Sequence, residues 1–429
     1  MSEESMFQAT DLKERYDPLS GHDLPTAELP LPTSFKWGTA TSAYQIEGGA
    51  DSDGKGPSIW DEYTHCFPSR TNNENGDVAC DHYNRTTEDI ELMNSFGVDV
   101  YRFSLSWSRI IPLGGRNDPI NEQGIAFYNN LIDRLLARGI EPSITLYHWD
   151  LPQALYDGYK GFLNTSEFLA DFLRYARLCF ERFGDRVQYH FYEPYSDSQE
   201  DKHAAAQRLE FFVAWFGDPI FLGKDYPASM RAYLGGRLPN FSDEEKALLR
   251  ETAHSNAFYG MNHYSTKYAR ALPHPPADDD WTGNVEEGSV NKEGMEIGPV
   301  SQMQWLRMAP EGFRKLLKWV WDRYHLPIIV TENGCPCPED SVDIAVDDVF
   351  RQTYLGLYLD AISRSIYDDG IEVTGYYVWT LMDNFEWSAG FSPKYGIVHV
   401  DFEHGSLKRT PKNSVLYLRD TFKQRRQKQ

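Results

Sequence analysis

Three times in the first half of the chain, an amphipathic helical pattern is stopped by a glycine and followed at once by a run of β-branched and aromatic residues. Residues 86–96 place Ile90, Met93 and Phe96 on one face and end at Gly97, after which VDVYRFSLSW (98–107) reads as a strand. Residues 122–138 put Ile125, Tyr128, Ile132, Leu135 and Leu136 on one stripe before Gly139, and EPSITLYHW (141–149) follows. A third helix at 166–183 turns Phe168, Phe172, Tyr175, Cys179 and Phe183 inward, stops at Gly184 and leads to RVQYHFYEP (186–194). SFKWGTATSAY (34–44), NAFYGMNHYS (256–265), PIIVTENG (327–334) and EVTGYYVWTLMD (372–383) are further strand candidates, and helices at 310–325 and 346–368 separate the last three.

Strand–helix alternation of this kind calls for a parallel sheet. Polar residues gather at the C-terminal ends of the strand candidates: Gln45, Arg102, His148, Glu193, Asn262, Glu332 and Asp383. That rim is where a barrel assembles its chemistry. An open doubly wound sheet instead shows a glycine-rich first turn, which is absent from this sequence. The expected fold is therefore an α/β barrel of the TIM (β/α)₈ type over residues 34–422, with a polar leader (1–33) before it and a basic tail (423–429) after it. Between residues 190 and 255 the rhythm fails, because the helix expected at 200–216 has no strand before it. Seven strands leave two unpaired edges, so the barrel is expected to be incomplete there.

A net charge of −22 repels nucleic acid and anionic lipid, which leaves neutral small molecules as the expected partners. The sequence contains no apolar run long enough to cross a membrane. Cys66, Cys80, Cys179, Cys335 and Cys337 are too sparse for a disulfide framework and fit reduced thiols in the cytoplasm. Cys179 falls on the apolar side of its helix, and Cys335-Pro336-Cys337 reads as a loop rather than a redox motif.

The sharpest local signal is IIVTENG (328–334), a buried run that delivers Glu332 at a strand end before an Asn-Gly turn. On physical grounds alone, such a carboxylate is either catalytic or half of a structural ion pair. The string resembles the nucleophile motif of family 1 glycoside hydrolases, the β-glucosidase family. FKWGTATSAYQIEG (35–48), YRFSLSWSRI (101–110), TLYHWDLP (145–152), FYGMNHYS (258–265) and WTLMDNFEWSAGF (379–391) resemble further motifs of that family, in order, over residues 34–422. The resemblance implies a retaining β-glycosidase of small β-glycosides, with no cofactor or metal. It implies Glu332 as nucleophile, supported by Arg102 and Tyr264. Gln45, His148 and Glu386 would hold sugar hydroxyls with help from Trp387, and Trp379 would lie under the sugar ring. Without the motif matches, Trp379 and Tyr264 read as core aromatics, Arg102 as an ion-pair member and His148 as a satisfied core imidazole.

A retaining glycosidase also needs an acid/base carboxyl about 5 Å from its nucleophile. The family carries it in a TFNEP-type string that this sequence lacks. Two alignments compete for HFYEP (190–194). In one, Glu193 is the acid/base on a drifted fourth strand. In the other, the segment through FGDPIFLGKDYP matches a stretch beyond the fifth strand, and Glu193 is a loop residue. In both, one to two βα units are missing. Hydrolysis and transglycosylation stay open, as does a degenerate sugar-binding or interaction protein on the same scaffold, or an incomplete gene product.

Overall fold

The computed structural model describes residues 29–183, 191–194, 198–252, 258–275, 277, 280–339 and 341–426. Eleven strands are described: β1 (Lys36–Ala40), β2 (Val100–Ser104), β3 (Glu141–Thr145), β4 (Phe191–Pro194), β5 (Tyr259–Asn262), β6 (Thr266–Ala271), β7 (Val285–Gly288), β8 (Ile328–Asn333), β9 (Val373–Trp379), β10 (Val398–Val400) and β11 (Arg409–Pro411). The principal sheet has six strands in the order β3-β2-β1-β9-β8-β5. Every pairing in it is parallel. Residues on both faces are buried, as in a sheet covered on both sides.

The helices follow the expected rhythm: α1 (His82–Phe96), α2 (Glu122–Leu136), α3 (Thr165–Arg182), α4 (Gln199–Leu209), α5 (Trp215–Leu222), α6 (Pro310–Tyr324), α7 (Val349–Tyr367) and α8 (Asn413–Arg425). Gly97 closes α1 at φ 70°, and Val98 N–H bonds back to Met93 O, so the chain reverses directly into β2. The stripe of α2 differs from expectation at one position. Leu131 is buried in place of Leu136, which is 57% exposed although its neighbour Leu135 is buried. Cys179 is buried within α3.

The expected incompleteness has a definite form. Among the described residues, β3 and β5 are the two open edges of the principal sheet, where an eight-stranded barrel would carry two more strands. The described part of the strand expected at 186–194, Phe191–Pro194, does not pair with that sheet. Residues 184–190 lie outside the described residues, and β4 pairs in parallel with β6, with Glu193 opposite Tyr268. β4, β6 and β7 form a separate three-stranded sheet against α4. FYEP has strand character in any sheet, and its partner is set by distant β6 rather than by its own sequence. The barrel sheet thus holds six of the seven candidates.

At the chain ends, residues 1–28 and 427–429 are outside the described set. Leu31 is buried and donates its N–H to Arg425 O. Arg425 is also buried, with its guanidinium on Asp360, so the body of the fold includes parts of the expected leader and tail.

Candidate active site

Glu332 sits one residue from the end of β8, in a stretch where the ladders to both neighbours slip register. The shifts fall between Met261 and Asn262 on one side and between Val330 and Asn333 on the other. Bulges of this kind re-aim a side chain. The Glu332 side chain is buried, and both its carboxylate oxygens are engaged. Arg102 Nη1 donates to Oε1, and Tyr264 OH donates to Oε2 at 2.5 Å. Arg102 comes from β2, level with Ala40 of β1, which is itself level with Trp379 of β9. Register alone therefore places the guanidinium and the indole at one height of the sheet.

The Asn-Gly that follows the strand is not a turn. Asn333 is the last residue of β8, and its amide donates to His263 O at 2.6 Å and to Tyr354 OH at 2.9 Å. Tyr376 OH donates to its carbonyl oxygen at 2.6 Å. A Cβ on Gly334 would stand 1.8 Å from Trp379 O, so glycine is required there by the close passage of two strand exits. This brace locks Glu332 and Trp379 to each other.

Around that pair lies a mixed polar and aromatic wall. His148 stacks between Trp379 (5.6 Å, 3°) and Trp387 (5.9 Å, 8°). Burial pushes its pKa down to about 4; the Glu332 charge opposes the shift and Arg102 adds to it, so the imidazole is neutral at neutral pH. Gln45 is buried on a short turn after β1. Its Oε1 accepts from Ser42 Oγ, and its Nε2 donates to Asn384 Oδ1 and Phe385 O, both at 2.8 Å. Glu386 is partly exposed, but its Oε1 is enclosed and without a hydrogen-bond partner. Loss of hydration pushes its pKa up to about 8, and Glu332 adds to the rise. Hydrogen bonding from Trp379 and Gln45 opposes it.

The structure therefore brings together Glu332, Arg102, Tyr264, Gln45, His148, Trp379, Glu386 and Trp387. β4, which carries Glu193, pairs with β6 outside the principal sheet, and the Glu193 side chain lies outside the described residues. Asp383, expected as a rim polar group, is instead fully buried beneath it and accepts from Lys412 Nζ at 2.9 Å. Asp383, Glu339 and His399 bring ligand-type atoms within 4.8 Å of one another, but the Lys412 ammonium already bonds both carboxylates. Sequence reasoning missed Asn384 as the partner of Gln45. It also missed Trp60 and Trp149, whose rings lie 4.8 and 4.9 Å from Trp387. For Trp149 the available signal was its place just after β3, whereas Trp60 lies in a helix twenty residues past β1.

Comparison with known proteins gives one consistent result. The family model described as Glycosyl hydrolase family 1 matches residues 27–192 and again 188–427, so the match breaks where the sheet lacks strands. Beta-glucosidase 1B of Phanerodontia chrysosporium is 39% identical over 471 residues, covering 91% of this chain and 85% of the relative. The beta-glucosidase of Trichoderma harzianum superposes with TM-score 0.87 at 40% identity, covering 94% of this chain and 99% of that one. Beta-glucosidase 2 of Trichoderma reesei, solved with Tris, gives TM-score 0.86 at 42% identity, covering 92% and 99%.

Proposed function

Because this chain belongs to glycosyl hydrolase family 1, we propose that it is a retaining β-glycosidase of small β-glucosides in which Glu332 is the nucleophile. The observation that carries this reading is the Glu332 carboxylate, buried at a strand end and fixed on both oxygens by Arg102 and Tyr264. A carboxylate held in this way is oriented before substrate arrives, so little ordering remains to be done at the reacting centre. It attacks the anomeric carbon, the bond to the leaving oxygen breaks, and water then hydrolyses the glycosyl ester. An acceptor sugar in place of water gives transglycosylation. Trp379 lies under the sugar, and Gln45, neutral His148, Glu386 and Trp387 take its hydroxyls.

The reading gives Glu193 no acid role, since β4 pairs with β6 rather than with β3. Assistance from a general acid is worth 10²–10⁴ in rate, so the substrates that suit this chain carry leaving groups that depart without a proton. The five cysteines are all free, and four are buried, which supports a reducing, cytoplasmic setting. Among the described residues, no helix is long and apolar enough to cross a membrane.

A 2-deoxy-2-fluoro-β-glucoside with an activated leaving group tests the nucleophile. The expected result is a covalent adduct on the peptide containing Glu332 and none in Glu332→Gln. An adduct on another residue of a protein that turns over substrate overturns the assignment.

A further inference from the structure

Tyr264 reaches Glu332 from a place the sheet does not hold. It lies between the end of β5 at Asn262 and the start of β6 at Thr266, where the chain leaves the principal sheet for the three-stranded one. Residues 263–265 belong to no strand, and β5 itself has a single strand neighbour, β8, among the described residues. A phenol on such a connection keeps one aim only where something other than a ladder fixes the backbone beneath it.

That support comes from α7. Tyr354 is fully buried, and its hydroxyl donates to Tyr264 O at 2.8 Å while accepting from Asn333 Nδ2 at 2.9 Å. The same amide nitrogen donates to His263 O at 2.6 Å, and His263 N–H bonds to Glu332 O at 2.9 Å. One phenol on a helix thus ties the main chain of Tyr264 to the residue that follows Glu332. The Tyr264 ring carries the link on to Glu332 Oε2. Tyr354 is itself fixed by stacking on Tyr358, with ring centroids 4.2 Å apart and planes 20° from parallel. Burial pushes its pKa well above the usual phenol range, so the hydroxyl keeps its proton at working pH.

We propose that Tyr354 is a positioning residue for the nucleophile: by holding Tyr264 O, it aims the Tyr264 hydroxyl at Glu332. The proposal rests on the reading of Glu332 as nucleophile. A donor aimed in advance needs no reordering when the carboxylate attacks, and one left to swing does. Without the Tyr354 hydroxyl, Tyr264 O loses its donor and the connection shifts to find another. The phenol at the far end of the Tyr264 side chain then moves off Glu332.

The test uses 2-deoxy-2-fluoro-β-glucosyl fluoride, whose rate of covalent labelling reads attack by the nucleophile. Tyr354→Phe is expected to lower the saturating labelling rate about tenfold and to leave the half-saturating concentration within about twofold. In a Tyr264→Phe background the same change should cost less than about twofold, because the bond it positions is already gone. Tyr358→Phe removes a buried hydroxyl from the same helix, one that accepts from Ala309 N–H, and should leave both constants unchanged. Tyr354→4-aminophenylalanine keeps the ring and a donor to Tyr264 O, and should label at nearly the parent rate; this variant also serves where Tyr354→Phe does not fold. A full tenfold loss in the Tyr264→Phe background, an effect on half-saturation instead of rate, an equal loss in Tyr358→Phe, or no loss in Tyr354→Phe overturns the proposal, as does slow labelling of the amino variant. If the parent protein takes no label at Glu332, the nucleophile reading fails instead, and crystal structures of the parent and Tyr354→Phe judge the positioning. A Tyr264 hydroxyl displaced from Glu332 in the variant supports it, and an unmoved one refutes it.

Discussion

Glu386→Gln should raise the stability of this protein by an amount that grows with pH. In the folded chain, loss of hydration and the neighbouring Glu332 charge push the Glu386 carboxyl from 4.5 up to about 8. Between those values the unfolded chain has released a proton that the folded chain still holds. The unfolded state then binds fewer protons, and stability falls as pH rises. The full interval corresponds to about 5 kcal/mol against the anion, reached only above about pH 8. Water reaches part of the side chain, so a measured value of about 2–4 kcal/mol is expected. Glutamine has the same shape and no charge, and removes this loss. Urea unfolding of both proteins at about pH 4.5, 6.5 and 8.5 gives the comparison directly. The curves should coincide at the lowest pH and separate steadily above it. The same substitution should remove an alkaline fall in kcat/KM centred near about pH 8, where a second negative charge enters the pocket. Unfolding curves offset equally at all three pH values would refute the reasoning.

Three further outcomes follow from the same geometry. Tyr264→Phe removes a hydrogen bond to a buried carboxylate, worth about 1.5–3 kcal/mol, and should lower kcat/KM for an activated aryl glucoside roughly 10- to 100-fold in steady-state assays. His148→Gln should abolish the part of the acid destabilisation that runs from about pH 6.5 down to about 4, since the folded imidazole stays neutral over that interval while the unfolded one gains a proton; thermal melts across the range measure it. Lys412→Met leaves Glu339 and Asp383 buried without their cation and should cost about 3–5 kcal/mol in urea unfolding, with the glycone-pocket residues themselves untouched.

Much of this was legible in the sequence because it depends on local pattern. The glycines after α1 and α2 mark helix ends in any context, and the β-rich runs around Arg102, Glu332 and Trp379 did become parallel strands of one sheet. Among the described residues no strand lies between 198 and 252, and the sequence shows a break in rhythm there. FYEP misled because a strand sequence does not state its partner; pairing with β6 is decided by residues some seventy positions away. Asp383 misled for a similar reason, since only the arrival of Lys412 turns a rim carboxylate into a buried ion-pair member. Gly334 was read as a turn residue when its role is to let Trp379 O pass. The protonation of Glu386 had no sequence signal at all. It arises from burial of the carboxyl in the assembled site, with the Glu332 charge at the end of β8 adding to it.

If Glu332 acts without a carboxylic acid from the fourth-strand position, the rate depends strongly on the leaving group. A series of aryl β-glucosides of graded phenol acidity, with cellobiose as the unactivated limit, should give kcat/KM values that fall steeply as the leaving group becomes more basic. Cellobiose should sit at the bottom, and Glu193→Ala should follow the same line as the parent protein. A shallow dependence with robust cellobiose hydrolysis, lost in Glu193→Ala and restored for activated glucosides by azide, would contradict the account.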